Sequence, residues 1–270
     1  MKTIRLIHNL PRSGGTIISK CLGAQKDVIL LSEIHPEGIL ISKKMGVLSS
    51  NFDPIFQSQT WNNLFEKDEY KKISNSDLKF EEKIDLIFEK TELVNKKLII
   101  RDWAFFDFIG RPFIEPSYKN SLLESLSKKY KILNLYIIRH PLKLLESCCN
   151  KWIFFRRDNN FIYLIKGYKK YFLNASEGNI CVFENFIGKP EKNLTKMCDI
   201  LEIDYDNNYS DKLKYVNLTG DGTAKESIEI HNKDSLSKKK LLKEEELNKI
   251  KNHPDFTELM RDLKSYYQNV

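Results

Sequence analysis

The sequence predicts an α/β fold, a mostly parallel central sheet flanked by helices. Two observations carry that expectation. Short Ile-, Leu- and Val-rich runs of strand length alternate with longer segments whose apolar residues recur at about the 3.6-residue helical period. The short runs are also apolar nearly throughout, the pattern of strands covered on both faces.

Taken in order, 3–8 (Thr3-Ile4-Arg5-Leu6-Ile7-His8) reads as the first strand, and 15–25, opening beside a Gly-Gly pair, as the first helix. The second strand is 27–31. Residues 34–78 break the rhythm with Pro36, Pro54 and several Ser and Asn, and hold one expected helix around 55–68. An insertion of that length forms either part of a substrate site or lid, or a plain surface excursion. Helical spacing returns over 79–95 and leads into the third strand, 97–101. A helix over 119–129, the fourth strand over 131–138, helices over 141–153 and 160–175, and the fifth strand over 179–183 complete the alternation. Helical spacing continues over 190–201 and 243–266, on either side of a polar, irregular stretch at 205–242 that contains Gly220-Asp221-Gly222. No repeat or linker divides the chain, so residues 1–270 are expected to form a single domain.

Composition narrows the function classes. At 270 residues and 41% hydrophobic, the chain can bury a full core, which excludes global disorder. No apolar run approaches the ~20 residues of a membrane helix, and the N-terminus shows no charged n-region followed by an apolar h-region. A soluble, cytoplasmic protein without a membrane span is expected. The five cysteines, Cys21, Cys148, Cys149, Cys181 and Cys198, form no C-x-x-C pair, which argues against a disulfide framework or a zinc site and for reduced, buried thiols. The vicinal pair Cys148-Cys149 has no flanking cation in the sequence to activate it. The net charge of +7 comes from scattered lysines, with Lys238-Lys239-Lys240 as the one run, so nucleic-acid binding is weakly supported and a small anionic ligand is at least as plausible.

The arginines locate that ligand. In an open parallel sheet, ligands bind outside the carboxyl ends of the strands. Arg12, Arg101 and Arg139, three of the eight arginines, fall at or just past the ends of strands one, three and four. Arginine suits multidentate recognition of phosphate or sulfate oxygens. One strand-end arginine commonly caps a sheet-edge carboxylate; three together point to a polyanion. Pro11-Arg12-Ser13-Gly14-Gly15-Thr16 follows a strand and opens a helix, where glycines permit close backbone approach and successive N–H groups cradle a phosphate. Gly15 stands where the nucleoside-triphosphate loop has its Lys, which weakens an ATP-hydrolysing reading. A second segment, Arg139-His140-Pro141 through Ser147, places an Arg at a strand end and a Ser on the following helix, so that both can grip one phosphate.

These motifs in this order resemble the sulfotransferases that use 3'-phosphoadenosine 5'-phosphosulfate (PAPS). The resemblance spans roughly residues 3–32, 97–108 and 131–203, and includes Val182-Phe183-Glu184-Asn185-Phe186, which is similar to the family's Y-E-D-L strand end. It implies a P-loop nucleotide-hydrolase-like architecture. It further implies that Arg12, Ser13, Gly14, Gly15 and Thr16 bind the 5'-phosphosulfate, that Arg139 and Ser147 bind the 3'-phosphate, and that Phe183 stands near the adenine. Thr219-Gly220-Asp221-Gly222-Thr223-Ala224-Lys225 resembles the late Gly-containing segment that family members fold over the 3'-phosphate, which would make Lys225 a candidate ligand; a solvated turn is the other reading.

The chain departs from the family at the base. Small-molecule members have a K-T-H strand end carrying a catalytic His, whereas here it reads Arg101-Asp102-Trp103. Members acting on carbohydrates or protein tyrosines place a Glu about where Ser32-Glu33-Ile34-His35 falls, which makes Glu33 the first choice of general base, with Asp102 and His35 as rivals and Arg101 orienting either. Arg12 would stabilise charge on the sulfuryl oxygens and the departing phosphate, and the mechanism calls for no metal. The product nucleotide would be adenosine 3',5'-bisphosphate. The acceptor stays open among a metabolite, a glycan and a glycolipid, with Trp61, Phe65 and the aromatic stretch from Trp103 to Phe113 as its candidate contacts or as core. A kinase-like phosphotransferase and a catalytically silent nucleotide-binding protein are the alternatives.

Overall fold

The structure, a computed structural model, describes residues 2–157, 159–220 and 242–267. Its strands are β1 (Thr3–Asn9), β2 (Val28–Ile34), β3 (Lys97–Asp102), β4 (Lys131–Ile138) and β5 (Asn179–Val182), each ending within three residues of the apolar run that predicts it. They form one all-parallel sheet in the order β2-β3-β1-β4-β5. β1 is central, pairing Ile7 with Arg101 of β3 on one side and with Leu135 of β4 on the other. The chain leaves β1 toward one edge and returns after β3 to build the other, so a crevice opens between the loops following β1 and β4.

The helices are α1 (Gly15–Gly23), α2 (Gly38–Lys44), α3 (Pro54–Asn62), α4 (Lys67–Ser74), α5 (Phe80–Leu93), α6 (Ala104–Phe108), α7 (Ser121–Leu126), α8 (Pro141–Lys151), α9 (Phe161–Ala175), α10 (Phe183–Gly188), α11 (Pro190–Ile200), α12 (Tyr209–Lys212), α13 (Glu244–Lys251), α14 (Pro254–Asp262) and α15 (Lys264–Tyr267). On one sheet face, Ile7, Leu30, Ile99, Leu135 and Ile137 pack against α1 and α11 through Ile18, Leu22, Leu194 and Cys198. On the other, Leu6, Leu31 and Ile100 meet α3, α5 and α7, while Tyr136 and Ile138 meet α8, α9 and α14. Coverage on both faces is why the strands carry no polar alternation.

Three expectations change in detail. The helix expected over 243–266 is three helices; the first break falls at Pro254, which has no N–H to continue a ladder and begins α14 instead. The helix expected around 55–68 is two, divided where Asn63 turns left-handed at φ 49°. Phe65, in the gap, is buried in the core and is no acceptor contact. The helix expected over 119–129 contracts to α7.

All five cysteines are buried free thiols. Burial pushes Cys21, Cys149, Cys181 and Cys198 up to about 12 and raises Cys148 as well. The expectation that no cation neighbours the vicinal pair is corrected: Arg12 and Arg139 do act on Cys148, but burial outweighs them. Among the described residues, no helix is long and apolar enough to cross a membrane.

Candidate active site

The loop after β1 is a tight turn closed by Ser13, whose backbone N–H and hydroxyl both donate to the Leu10 carbonyl at 3.3 and 2.7 Å. The Ser13 hydroxyl is thereby committed to the turn. Gly14 stands at the N-cap of α1 with φ 90°, and a Cβ there would lie 2.0 Å from the Phe183 ring. A Cβ on Gly15 would lie 2.2 Å from the Asn9 side chain. Gly14 is therefore favoured by the turn and by close approach, and Gly15 by close approach alone.

The second motif meets this loop directly. Arg12 Nε donates to Ser147 Oγ at 3.0 Å, and Arg139 Nη1 donates to the Arg12 carbonyl at 2.9 Å. The Arg139 guanidinium carbon lies 5.2 Å from the centre of the Phe183 ring, a stacking distance. Behind it, the buried Tyr168 hydroxyl accepts from the Arg139 N–H and donates to its carbonyl, fixing the end of β4. Arg12, Gly14, Arg139, Ser147 and Phe183, from three separated segments, thus occupy one place. Ser147, buried on α8, accepts from Arg12.

Glu33 reaches the other side of the loop through a β-bulge. Leu31 pairs with Ile100 but Ile34 with Asp102, so β2 carries one extra residue, and Glu33 within it has φ 54°. Bulges re-aim side chains beside functional sites. The Glu33 carboxylate accepts from Arg101 Nη2 at 2.6 Å, and the buried guanidinium also reaches Thr16 Oγ1 at 3.5 Å and the Thr219 carbonyl at 3.4 Å. Arg101 therefore links Glu33 to the first turn of α1. Gly220 closes over the carboxylate; a Cβ there would lie 3.1 Å from Glu33 Oε1.

Gln57, which sequence reasoning missed, and Thr219 hold the bulge. Gln57 of α3 donates to the Ser32 carbonyl and accepts from its N–H, both at 2.7 Å, doing for the sheet edge what a further strand would do. Thr219 is tied to Ser32 by a hydroxyl pair at 2.9 Å. Nothing in the local sequence marks Gln57, since its role exists only once α3 lies on β2.

The rival bases are placed differently. Asp102 is fully buried, with Oδ2 2.8 Å from His8 Nδ1. His8 stacks on Tyr136 and lies within hydrogen-bond distance of Asn120 and Asn134. Burial raises the Asp102 carboxyl above its ordinary range, against the opposing pull of His8. His8 had a legible signal, a polar residue inside an apolar strand. His35 faces a separate cavity, where it contacts Asp107 at 3.2 Å and accepts from the Glu37 N–H at 3.0 Å. Lys225 lies outside the described residues.

Glu33 and Asp102 line the inner end of a cavity of about 330 Å³ whose walls include Trp103, Phe105, Phe106 and Phe113. Trp61 lines a different pocket, beside Lys26 and Tyr215.

No protein-family model and no curated protein matches the chain. Solved structures do match. The sulfotransferase domain of a Synechococcus olefin synthase superposes with a TM-score of 0.68 at 16% identity, covering 97% of this chain and 94% of that one. The sulfotransferase domain from the curacin biosynthetic pathway gives 0.62 at 15% identity, over 98% of both chains. A mouse sulfotransferase complexed with PAP gives 0.51 at 13% identity, over 98% of this chain and 89% of that one.

The chain has a sulfotransferase fold. In this sulfotransferase fold the loop after β1, the β4–α8 junction and the bulge at the end of β2 are neighbours around the N-terminus of α1, although 127 residues separate Arg12 from Arg139.

Proposed function

We propose that this chain transfers a sulfuryl group from PAPS to a hydroxyl or amine of a small-molecule, glycan or glycolipid acceptor. The observation that carries the reading is the convergence of Arg12, Arg139 and Ser147 on one side of the α1 N-terminus with the Arg101–Glu33 pair on the other. Two guanidinium groups, a hydroxyl and a glycine cradle suit a nucleotide with two separate anionic groups. The PAP held by the mouse neighbour supports the same ligand class. When bound, PAPS supplies the sulfuryl group on a leaving nucleotide.

The chain's own residues then have distinct tasks. Glu33 accepts the proton of the attacking hydroxyl, and Arg101 keeps the carboxylate in position beside Thr16. Arg12 and the N–H groups opening α1 stabilise negative charge on the sulfuryl and leaving-group oxygens as fixed, preorganised donors. Arg139 and Ser147 grip the second phosphate and so discriminate a bisphosphate from AMP, while Phe183 offers a stacking face to the base. The Asn9 and Gly14–Gly15 contacts leave no room for larger residues in the cradle.

Thermal unfolding with adenosine 3',5'-bisphosphate, AMP, or ATP with magnesium tests this. A ligand at a hundred times its Kd adds about 2.7 kcal/mol of stability. Stabilisation by the bisphosphate, lost in Arg139→Ala and Ser147→Ala, is expected. Preference for ATP with magnesium would establish the phosphotransferase alternative. Bisphosphate binding without any transfer would establish the silent binder.

A further inference from the structure

The cavity beyond Glu33 is built for one kind of molecule. Its walls are aromatic and aliphatic, and its polar groups are few: the Asn9, Glu33, Asp102 and Arg111 side chains and the indole N–H groups of Trp103 and Trp152. Arg111 is already engaged, ion-paired with Glu115 and lying over the Tyr163 ring. An apolar cavity of ~150 Å³ takes up benzene, so a space of about 330 Å³ accommodates a body about twice that size. At the rim, Phe113 and Trp152 are 43% and 37% exposed, and the apolar lining continues outward through them.

The inner end is specific as well. Asp102 commits Oδ2 to His8, while its buried Oδ1 has no hydrogen-bond partner among the described residues. A buried carboxyl oxygen without a partner is costly unless a ligand supplies one. The Glu33 charge is offset by Arg101, and burial favours the neutral form of Asp102, so the two carboxyls do not present the uncompensated negative charge that would draw an ammonium.

We propose that the acceptor is an apolar alcohol or phenol whose hydroxyl sits between Glu33 and Asp102 while its alkyl or aryl body fills the aromatic cavity. This rests on the sulfuryl-transfer reading above. The acceptor oxygen forms a bond to sulfur as the bond from sulfur to the phosphate oxygen breaks. The electron pair of that bond leaves with adenosine 3',5'-bisphosphate, and the hydroxyl proton passes to the Glu33 carboxylate. A sugar would bury several hydroxyls against walls whose polar groups are too few to satisfy them.

The test is calorimetric titration with 2-naphthol, 1-decanol and N-acetylglucosamine, each with the enzyme saturated with the bisphosphate, and turnover of the same three with PAPS. The two apolar compounds are expected to bind and to be sulfated, and the sugar to do neither. Phe113→Glu, a substitution at the exposed rim, should weaken 2-naphthol binding at least tenfold while bisphosphate affinity stays unchanged. If the bisphosphate binds but the apolar compounds neither bind nor react, or the sugar reacts in their place, the acceptor proposal is overturned and sulfuryl transfer stands. Naphthol binding unaffected by Phe113→Glu would also overturn it, because the ligand would sit elsewhere. If the bisphosphate does not bind at all, the transfer reading fails and the acceptor proposal fails with it.

Discussion

Arg12 and Glu33 share an uncommon backbone conformation, with φ of 65° and 54°. Left-handed geometry at a non-glycine residue costs on the order of 1–3 kcal/mol and persists only where the surroundings impose it. Here they do: the Arg12 carbonyl is held by Arg139, and the Glu33 carboxylate by Arg101. Two strained residues facing each other across the α1 N-terminus fit a preorganised site better than they fit a stability device. Replacing Glu33 with Gln keeps the shape and an acceptor for Arg101 but removes the proposed base. The expected result is a fall in kcat of about 10²–10⁴ with bisphosphate affinity unchanged, measured well below Tm because Arg101 loses its counter-charge. An unchanged kcat would move the base to another residue.

At the scale of elements, Glu184 staples α10 to α8: its carboxylate accepts from the His140 N–H at 2.9 Å, next to Arg139. Burial raises its pKa above the ordinary carboxylate value, outweighing His140, Arg139 and Lys143. A carboxyl whose folded pKa is raised contributes stability that is present below its unfolded pKa and lost as pH rises through the folded value. Glu184→Gln keeps a carbonyl for His140 and cannot ionise. Its Tm relative to wild type should therefore climb as pH is raised from 4 to 7, and a difference independent of pH would contradict this assignment.

The elements themselves were largely legible. Short apolar runs alternating with helical periods suit strands covered on both faces, and Arg139 and Ser147 fall on a strand end and the helix after it, where both reach Arg12. What the sequence hid was long-range. The bulge that aims Glu33 depends on β2 pairing with β3, and Gln57 acquires its role only through α3 lying on the sheet edge. The break at Pro254 was written in the sequence, but the 3.6-residue periodicity on both sides of it masked the stop.

For the whole molecule, the order β2-β3-β1-β4-β5 gives the two halves of the site unequal footing. The loop after β1, the proposed phosphate cradle, hangs from the central strand, and Arg139 from its neighbour β4. Glu33 rides on the edge strand, secured there by the Gln57 and Thr219 side chains. Local opening begins where a strand has one neighbour rather than two, at free energies below that of global unfolding. Warming should therefore disarm the protein before it releases its nucleotide. Turnover should fall off at a lower temperature than bisphosphate binding, leaving over an interval of a few degrees a protein that still holds nucleotide and no longer transfers; simultaneous loss of both would mean that the edge strand is as secure as the centre.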